Sequence, residues 1–475
     1  MSYQISPKHD QSFTVVRQGF LQADGLPFSE ILSEEQVQEA FEEEEDALFG
    51  EDENAVYTPA LTLWTSLSQV LHAGAERSCE AAVDRLRTLC VALSIRVPSS
   101  DSGAYCRARA KLSEDVLQRL TYEVADDLEE AVPEEWLWYG RHAKIVDGST
   151  LQVPDTEANQ EAWPQSTSQK PGLGFPILRM CAILSLATGA MCGFAEGPYK
   201  GKQTGEPALL RSLFGRLQAG DVLVGDCCFC SFSMIALLME LEVDVLFCQH
   251  QRRVTDFSKG KRLGPKDHTV RWPKPQRPTW MDEATYAELP DEIVVRELAI
   301  DVNVPGFRTR EVILVTTMTK SNRYSQEALG DLYRQRWHVE LDLRAIKVHM
   351  NMEDLRCKCP EMVRKEIWTH CLAYNLIRKT MAQAAHVHER TVRSISFSGA
   401  LQAIAGVMGQ ASVADEELLG RLVEEKLKSI ASRKVGHRPN RVEPRAVKRR
   451  PRKQKLLTKP RAEARADLGV PKSAA

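Results

Sequence analysis

Tyr333-Arg334-Gln335-Arg336-Trp337-His338-Val339-Glu340, with its continuation through Ile346-Lys347, is the stretch from which the rest of the chain can be read. It sets Tyr333, Arg336, Glu340 and Lys347 in a Y-x2-R-x3-E-x6-K spacing. At about 100° per residue these four fall within roughly 60° of one helical face. Leu332, Val339, Leu343, Ile346 and Met350 form an apolar stripe beside that face. The spacing predicts a helix starting near Ser325 that lies on a core and holds one carboxylate among cations at its edge. Such a helix is suited to setting a metal-binding acid next to nucleic-acid phosphate.

The 475 residues suffice for several domains, and an apolar fraction of 43% supports sizeable cores. No stretch approaches the roughly 18 uninterrupted apolar residues of a membrane helix. The start, Met-Ser-Tyr-Gln-Ile, lacks the basic and apolar regions of a secretory signal. Twelve cysteines in a chain this long read as reduced thiols of a cytoplasmic protein. Cys227, Cys228, Cys230, Cys357 and Cys359 lack the paired spacing of a zinc site. No Walker-type loop, dinucleotide fingerprint or H-E-x-x-H occurs, which argues against ATP-driven and zinc-protease chemistry.

A net charge of −3 hides a strong asymmetry. Residues 34–53 are acidic, and their simplest reading is a solvated helix face. From Arg433 to Arg465 there are fourteen Lys or Arg against only Glu443 and Glu463. Such an arm neutralises phosphates, so 433–475 is expected to be a disordered basic tail with non-specific DNA affinity.

Between these ends the texture changes twice. Residues 55–135 read as a helical, DNA-binding or simply basic-surfaced domain, with Arg107, Arg109 and Lys111 on a helix expected over Tyr105–Leu120. From about residue 136 strands appear. Lys144–Asp147 and Asp221–Asp226 both end in an acid, and Ile177–Ala187 and Met191–Ala195 form a hairpin across Thr188-Gly189. Residues 249–309, rich in Arg, Lys, Pro and Trp, read as a partly β insertion. A catalytic domain over 136–400 and a helical segment over 401–432 complete the division. The expected fold class is α/β, a mixed sheet with helices on both faces.

Three acids, Asp147, Asp226 and Glu340, thus stand where a carboxylate can leave a sheet edge. Two-metal phosphoryl transfer needs such a set, because carboxylates hold hard Mg²⁺ ions about 3.5–4 Å apart over the scissile phosphate. Either aspartate alone reads first as a turn cap; the three together with the basic helix point to chemistry.

Asp147-Gly148-Ser149, Gly225-Asp226-Cys227-Cys228-Phe229 and the complete Tyr333, Arg336, Glu340, Lys347 set resemble DDE transposases of the insertion-sequence type, in the group defined by the YREK signature. The resemblance spans about Leu61 to Ala400. It implies an RNase H-like core with a mostly β insertion between the second Asp and the Glu. It also implies excision and reinsertion of a DNA element by hydrolysis and transesterification. Carried over residue by residue, it makes Asp147, Asp226 and Glu340 ligands of two Mg²⁺ ions, replaceable by Mn²⁺, and makes Tyr333, Arg336 and Lys347 phosphate contacts. The implied partners are double-stranded DNA, namely terminal inverted repeats and a target, bound by a homodimer on paired ends at the bacterial nucleoid. Members of the group cut the second strand through a DNA hairpin, with an aromatic of the insertion stacked on a flipped base. Trp272 and Trp280 are the candidates, although packing of the insertion is the first reading for either. Cys227 departs from the basic or small residue usual after the second Asp. Two further classes fit the same residues: a catalytically silent, transposase-derived DNA-binding protein, and an RNase H-like nuclease that never joins strands.

Overall fold

The computed structural model describes residues 13–23, 25–28, 30–44, 49, 55–301, 311–436 and 456–468. Among them, nine strands form one sheet: β1 (Ala143–Gln152), β2 (Ile177–Ser185), β3 (Met191–Pro198), β4 (Val222–Gly225), β5 (Asp244–Cys248), β6 (Lys261–Gly264), β7 (Asp267–Pro273), β8 (Glu292–Asp301) and β9 (Glu311–Thr316). Their order is β3-β2-β1-β4-β5-β9-β8-β7-β6. β2 runs antiparallel to β1 and β3, whereas β4 and β5 run parallel to β1. A meander of three strands followed by two parallel ones, in the order 3-2-1-4-5, is an RNase H-like core. The insertion does not form a separate layer. Its strands β6–β8 continue the same sheet beyond β9, which pairs with β5 on one side and β8 on the other.

Period-two burial fixes which side chains share a face. Asp147, Ala182 and Phe194 are partners across β1, β2 and β3, so they point the same way. That face is covered by α4 (Glu114–Glu130) and α9 (Pro360–Val387): Trp368 meets Phe194 edge-on at 5.4 Å, and the Tyr122 hydroxyl donates to the Phe194 carbonyl at 3.2 Å. Gly148, Cys181 and Ala195 point the other way, toward α5 (Glu206–Ser212). α9 is buried over most of its 28 residues and carries the contacts of α1 (Pro59–Val70), α4 and Glu416–Ser432. Several polar groups inside it bond to neighbouring elements. Asn375 accepts from the Met191 N–H at 2.8 Å and donates to the Met191 and Thr121 carbonyls, satisfying backbone groups at the sheet's outer strand.

The helical region before the sheet consists of α1, α2 (Cys79–Ala92), α3 (Gly103–Lys111) and α4. The helix expected over Tyr105–Leu120 is two helices. Leu112 leaves helical geometry at ψ 125°, and the Ser113 hydroxyl accepts from the Asp115 and Val116 N–H groups to start α4. Of the three cations singled out there, Arg107 and Lys111 are exposed. Arg109 turns inward, donating to Gln69 Oε1 at 3.1 Å and to the Cys357 sulphur at 3.6 Å.

The acidic segment contributes a helix over Glu34–Glu42 that buries Val37, Ala40 and Phe41 and leaves its acids outward. Its remainder at 45–48 and 50–54 lies outside the described residues. Of the basic tail, 437–455 and 469–475 also lie outside them. Arg461–Asp467 is helical rather than irregular, and Pro460 before it packs on Gly172.

Lys379 on α9 is fully buried, with the Ile31 carbonyl 3.5 Å from its ammonium. Burial, aided by nearby Arg17, pushes it down to about 7. A lysine whose folded pKa is depressed costs stability in full below that pH, and the cost fades as pH rises toward the unfolded value. Lys379→Met is therefore expected to stabilise the protein by on the order of 2–4 kcal/mol at pH 6 and roughly half that at pH 9, read from denaturant titrations at the two pH values. An equal gain at both would contradict the buried charge.

Candidate active site

β1 and β4 pair in parallel with Ile145 opposite Val224. Two residues further on, that register sets Asp147 beside Asp226 on the same face, at the point where β4 ends and β1 continues with an open edge. Each aspartate is anchored by one backbone donor: Asp147 Oδ1 accepts from Gly148 N at 2.8 Å, and Asp226 Oδ1 from Cys228 N at 2.8 Å.

The signature residues arrive from the same face, yet not on one uniform helix. α7 (Gln326–Arg334), N-capped by Ser325, ends after Tyr333; Arg336 lies in the break, and Glu340 is on α8 (Trp337–Arg344). Lys347 sits in a π-helical turn, Ala345–His349. Around the break the amides of Arg336, His338 and Val339 bond three residues back, a tightened winding. In the π turn the Met350 amide bonds five residues back to Ala345, a loosened one. The two departures offset each other in rotation, so Leu332, Val339, Leu343, Ile346 and Met350 all remain buried as the spacing predicts.

Arg336 is the hub of the site. Its guanidinium lies 3.6 Å from Asp147 Oδ2 and 3.7 Å from Glu340 Oε1, both longer than a good hydrogen bond. Lys347 reaches β1 itself, donating to Ser149 Oγ at 2.8 Å and to the Thr150 carbonyl at 3.0 Å. Tyr333 is mostly buried against Cys248 at the end of β5, and burial raises its hydroxyl pKa. His338 points away from the acids; burial, then Arg393, holds it down to about 4, so it is neutral at pH 7.

The spacing gave no hint of a fourth carboxylate. Glu206, at the start of α5, comes up from the opposite face of the sheet. Its carboxyl carbon lies so close over Gly148 that a Cβ there would sit 2.1 Å from it. Glu206 also accepts the Cys228 thiol at 3.6 Å, so the turn after Asp226 is tied to it. A glutamate between Gly205 and Pro207 carries no motif that sequence reasoning could have used.

Burial raises Asp147 to about 6; Gly148 N–H and Arg336 pull it back, while Asp226 and Glu206 push it further up. Excess negative charge at oxygen ligands is what a hard divalent cation relieves. The donor set therefore fits such an ion, with Asp147 and Asp226 adjacent. Among the described residues no three Asp, Glu, His or Cys side chains converge on one point, and Arg336 lies between Asp147 and Glu340.

The two tryptophans of the insertion are differently placed. Trp272 is buried, its indole N–H donating to Glu297 Oε1 at 2.8 Å and its face covered by Arg253 at 3.6 Å. Trp280 is half-buried, with the Arg211 guanidinium 3.7 Å over its ring.

A family model described as the transposase DDE domain matches residues 138–376, from the turn before β1 into α9. The chain belongs to the DDE transposase family. It is 28% identical over 364 residues to the transposase InsG for insertion sequence element IS4 of Escherichia coli K12, covering 73% of this chain and 76% of that one. Shorter matches of 65 residues at 35% identity, 14% of this chain and 18% of each relative, link it to the putative transposase InsL for IS186A and the transposase for IS421, both of Escherichia coli. The piggyBac transposase in a synaptic complex with hairpin DNA superposes with a TM-score of 0.43 at 10% identity, over 88% of this chain and 86% of that one. The protein is thus a DNA transposase, an enzyme of DNA cleavage and strand transfer in a family that uses divalent metal ions. Among the described residues no helix is long and apolar enough to cross a membrane.

With divalent ions removed, the raised Asp147 makes this transposase less stable as pH rises. The penalty is absent below about 3.8, grows as the carboxyl ionises, and is complete above about 6. Asp147→Asn in EDTA is expected to gain up to about 3 kcal/mol at pH 8 and distinctly less at pH 5. Thermal or urea denaturation at the two pH values measures it, and a gain that grows toward pH 5 would contradict the charge crowding.

Proposed function

We propose that Asp147, Asp226 and Glu340 are the catalytic carboxylates of this transposase and hold two Mg²⁺ ions, with Mn²⁺ able to replace them. What carries the proposal is Arg336, whose guanidinium touches both Asp147 and Glu340 and so links the signature helix to the strand carrying the first acid. Held by these carboxylates, such ions would supply activation of an attacking water or 3′-hydroxyl and stabilisation of the leaving oxygen. The chain's own part is positional. Asp147 and Asp226 hold adjacent oxygens at the open strand edge. Arg336, bound at 3.6–3.7 Å rather than in close hydrogen bonds, exchanges its carboxylates for a phosphate of the cut strand and frees Glu340 to join the aspartates. Lys347 and Tyr333 flank the same phosphates.

The substrates proposed are the terminal inverted repeats of an element and a target duplex, gripped by a homodimer on paired ends at the nucleoid in the bacterial cytoplasm. The helical segment 55–135 and the basic tail 433–475 supply further phosphate contacts; exposed Arg107 and Lys111 support this for the former. For an unstacked base, Trp280 is the better of the two rings, because Trp272 is enclosed and hydrogen-bonded within the insertion.

Asp147→Ala, Asp226→Ala and Glu340→Ala are each expected to lower Mg²⁺-dependent nicking of an end-bearing duplex by at least about 10³-fold while leaving end binding within about threefold. Gel-shift and cleavage assays on the same DNA check this, and full cleavage by any one variant removes that residue from the metal site. A precut end joined to a second duplex separates the transposase from a nuclease that only cuts. Deleting 433–475 is expected to lower affinity for unrelated DNA and to reduce its salt slope by several units. Unchanged binding at low salt would make the tail a passenger.

A further inference from the structure

α8 is only eight residues long and is bounded by the break at Gln335–Arg336 on one side and the π turn on the other. Neither flank passes on a regular helical register, so the seat of Glu340 must be set by what α8 packs on. Asp342 lies two residues after Glu340, about 200° around the helix, and points into the protein at 1% exposure. Its two oxygens accept from Arg393 Nη1 at 2.8 and 2.7 Å, and Oδ1 also accepts from Arg378 Nη2.

Each arginine is itself fixed. Arg378, on α9, donates through Nε to the Tyr374 hydroxyl at 2.9 Å, and that hydroxyl donates to the Gly189 carbonyl at 2.7 Å in the β2–β3 turn. Gly189 has φ +80°, and a Cβ there would lie 2.8 Å from the Arg378 guanidinium carbon, so the turn closes directly on this side chain. Arg393 donates to the Leu186 carbonyl at 2.8 Å and the Ser185 carbonyl at 2.5 Å. Ser185 ends β2, which pairs with β1 from Lys144 to Gln152, Ala182 opposite Asp147. One buried carboxylate thus joins α8 to α9 and, through two arginines, to the strand pair that carries Asp147.

A buried ion cluster is a weak source of stability, since apolar groups of similar volume stabilise as well or better. What it supplies is direction, because the carboxylate is held by charge-assisted hydrogen bonds from two guanidinium groups that are each anchored elsewhere. We infer that Asp342, with Arg378 and Arg393, is the positioning device that sets Glu340 relative to Asp147 and Asp226. Asp342 is a positioning residue and touches no substrate. The inference rests on the assignment of Glu340 as third acid.

The test uses the full chain and Mn²⁺, with free Mn²⁺ read by electron paramagnetic resonance and nicking of an end-bearing duplex read for kcat and KM. Glu340→Ala serves as reference. Asp342→Asn and Arg393→Gln are expected to weaken Mn²⁺ binding by about tenfold and to lower kcat, with KM for DNA within about twofold. Arg393→Lys, which keeps the charge, is expected to recover part of both. If Asp342→Asn fails to fold, the two Arg393 variants decide, since that side chain lies at the margin of the cluster at 15% exposure. A lower thermal midpoint with wild-type Mn²⁺ affinity and kcat, while Glu340→Ala loses both, marks the cluster as structural only and overturns the inference alone. Wild-type Mn²⁺ affinity and kcat in Glu340→Ala overturns the assignment of Glu340 and the inference with it.

Discussion

The parallel pairing of β1 with β4 is the constraint on which the site depends. Ile145 opposite Val224 brings two aspartates, 79 positions apart in the chain, onto one face of adjacent strands. A slip of one residue would turn one of them to the far side, because side chains alternate along a strand. β4 then stops at Gly225 while β1 runs on to Gln152, leaving an unpaired edge beside the carboxylates. Into that edge come Lys347 on Ser149 and Thr150, Arg336 on Asp147, and Glu206 from beneath.

The charge balance at this edge explains its chemistry better than any single residue does. Asp147 and Asp226 stand side by side, Arg336 lies between Asp147 and Glu340, and Glu206 approaches from the opposite face. Burial lifts Asp147 to about 6; Gly148 N–H and Arg336 offset part of that rise, and Asp226 and Glu206 add to it.

Behind the site the protein spends polar groups in its interior. Asp342 with Arg378 and Arg393, Arg77 with Glu366, and Asp267 with Arg296 are all buried ion pairs at junctions between elements. Arg77 also donates to the carbonyls of Asn351 and Asp354, so the loop after the π turn is tied to the N-terminal helices. Such contacts add little net free energy, but they hold short, interrupted elements in one arrangement. A long uniform helix would have needed less help; the signature segment, broken at Arg336 and widened at Lys347, needs it.

Much of this was legible in the sequence. The apolar stripe from Leu332 to Met350, the hairpin across Thr188-Gly189, the helix start near Ser325 and the strand leading into Asp226 follow from local periodicity and turn chemistry, which act over a few residues; the strand expected to end at Asp147 instead runs on to Gln152, because its pairing with β2 continues past that residue. The family signature added the RNase H-like core and the insertion. The break in the signature helix was not legible, because local spacing cannot show that a tightened turn and a widened one will cancel. Nor were Glu206 and Asp342, since neither has a motif and each gains its role from residues more than twenty positions away. The sequence by itself determined which residue types could do metal-dependent chemistry on DNA and which faces would be buried. The tertiary structure alone decided which acids stand side by side and which cation lies between them, because strand register and long-range ion pairing are set by the whole core and not by neighbours in the chain.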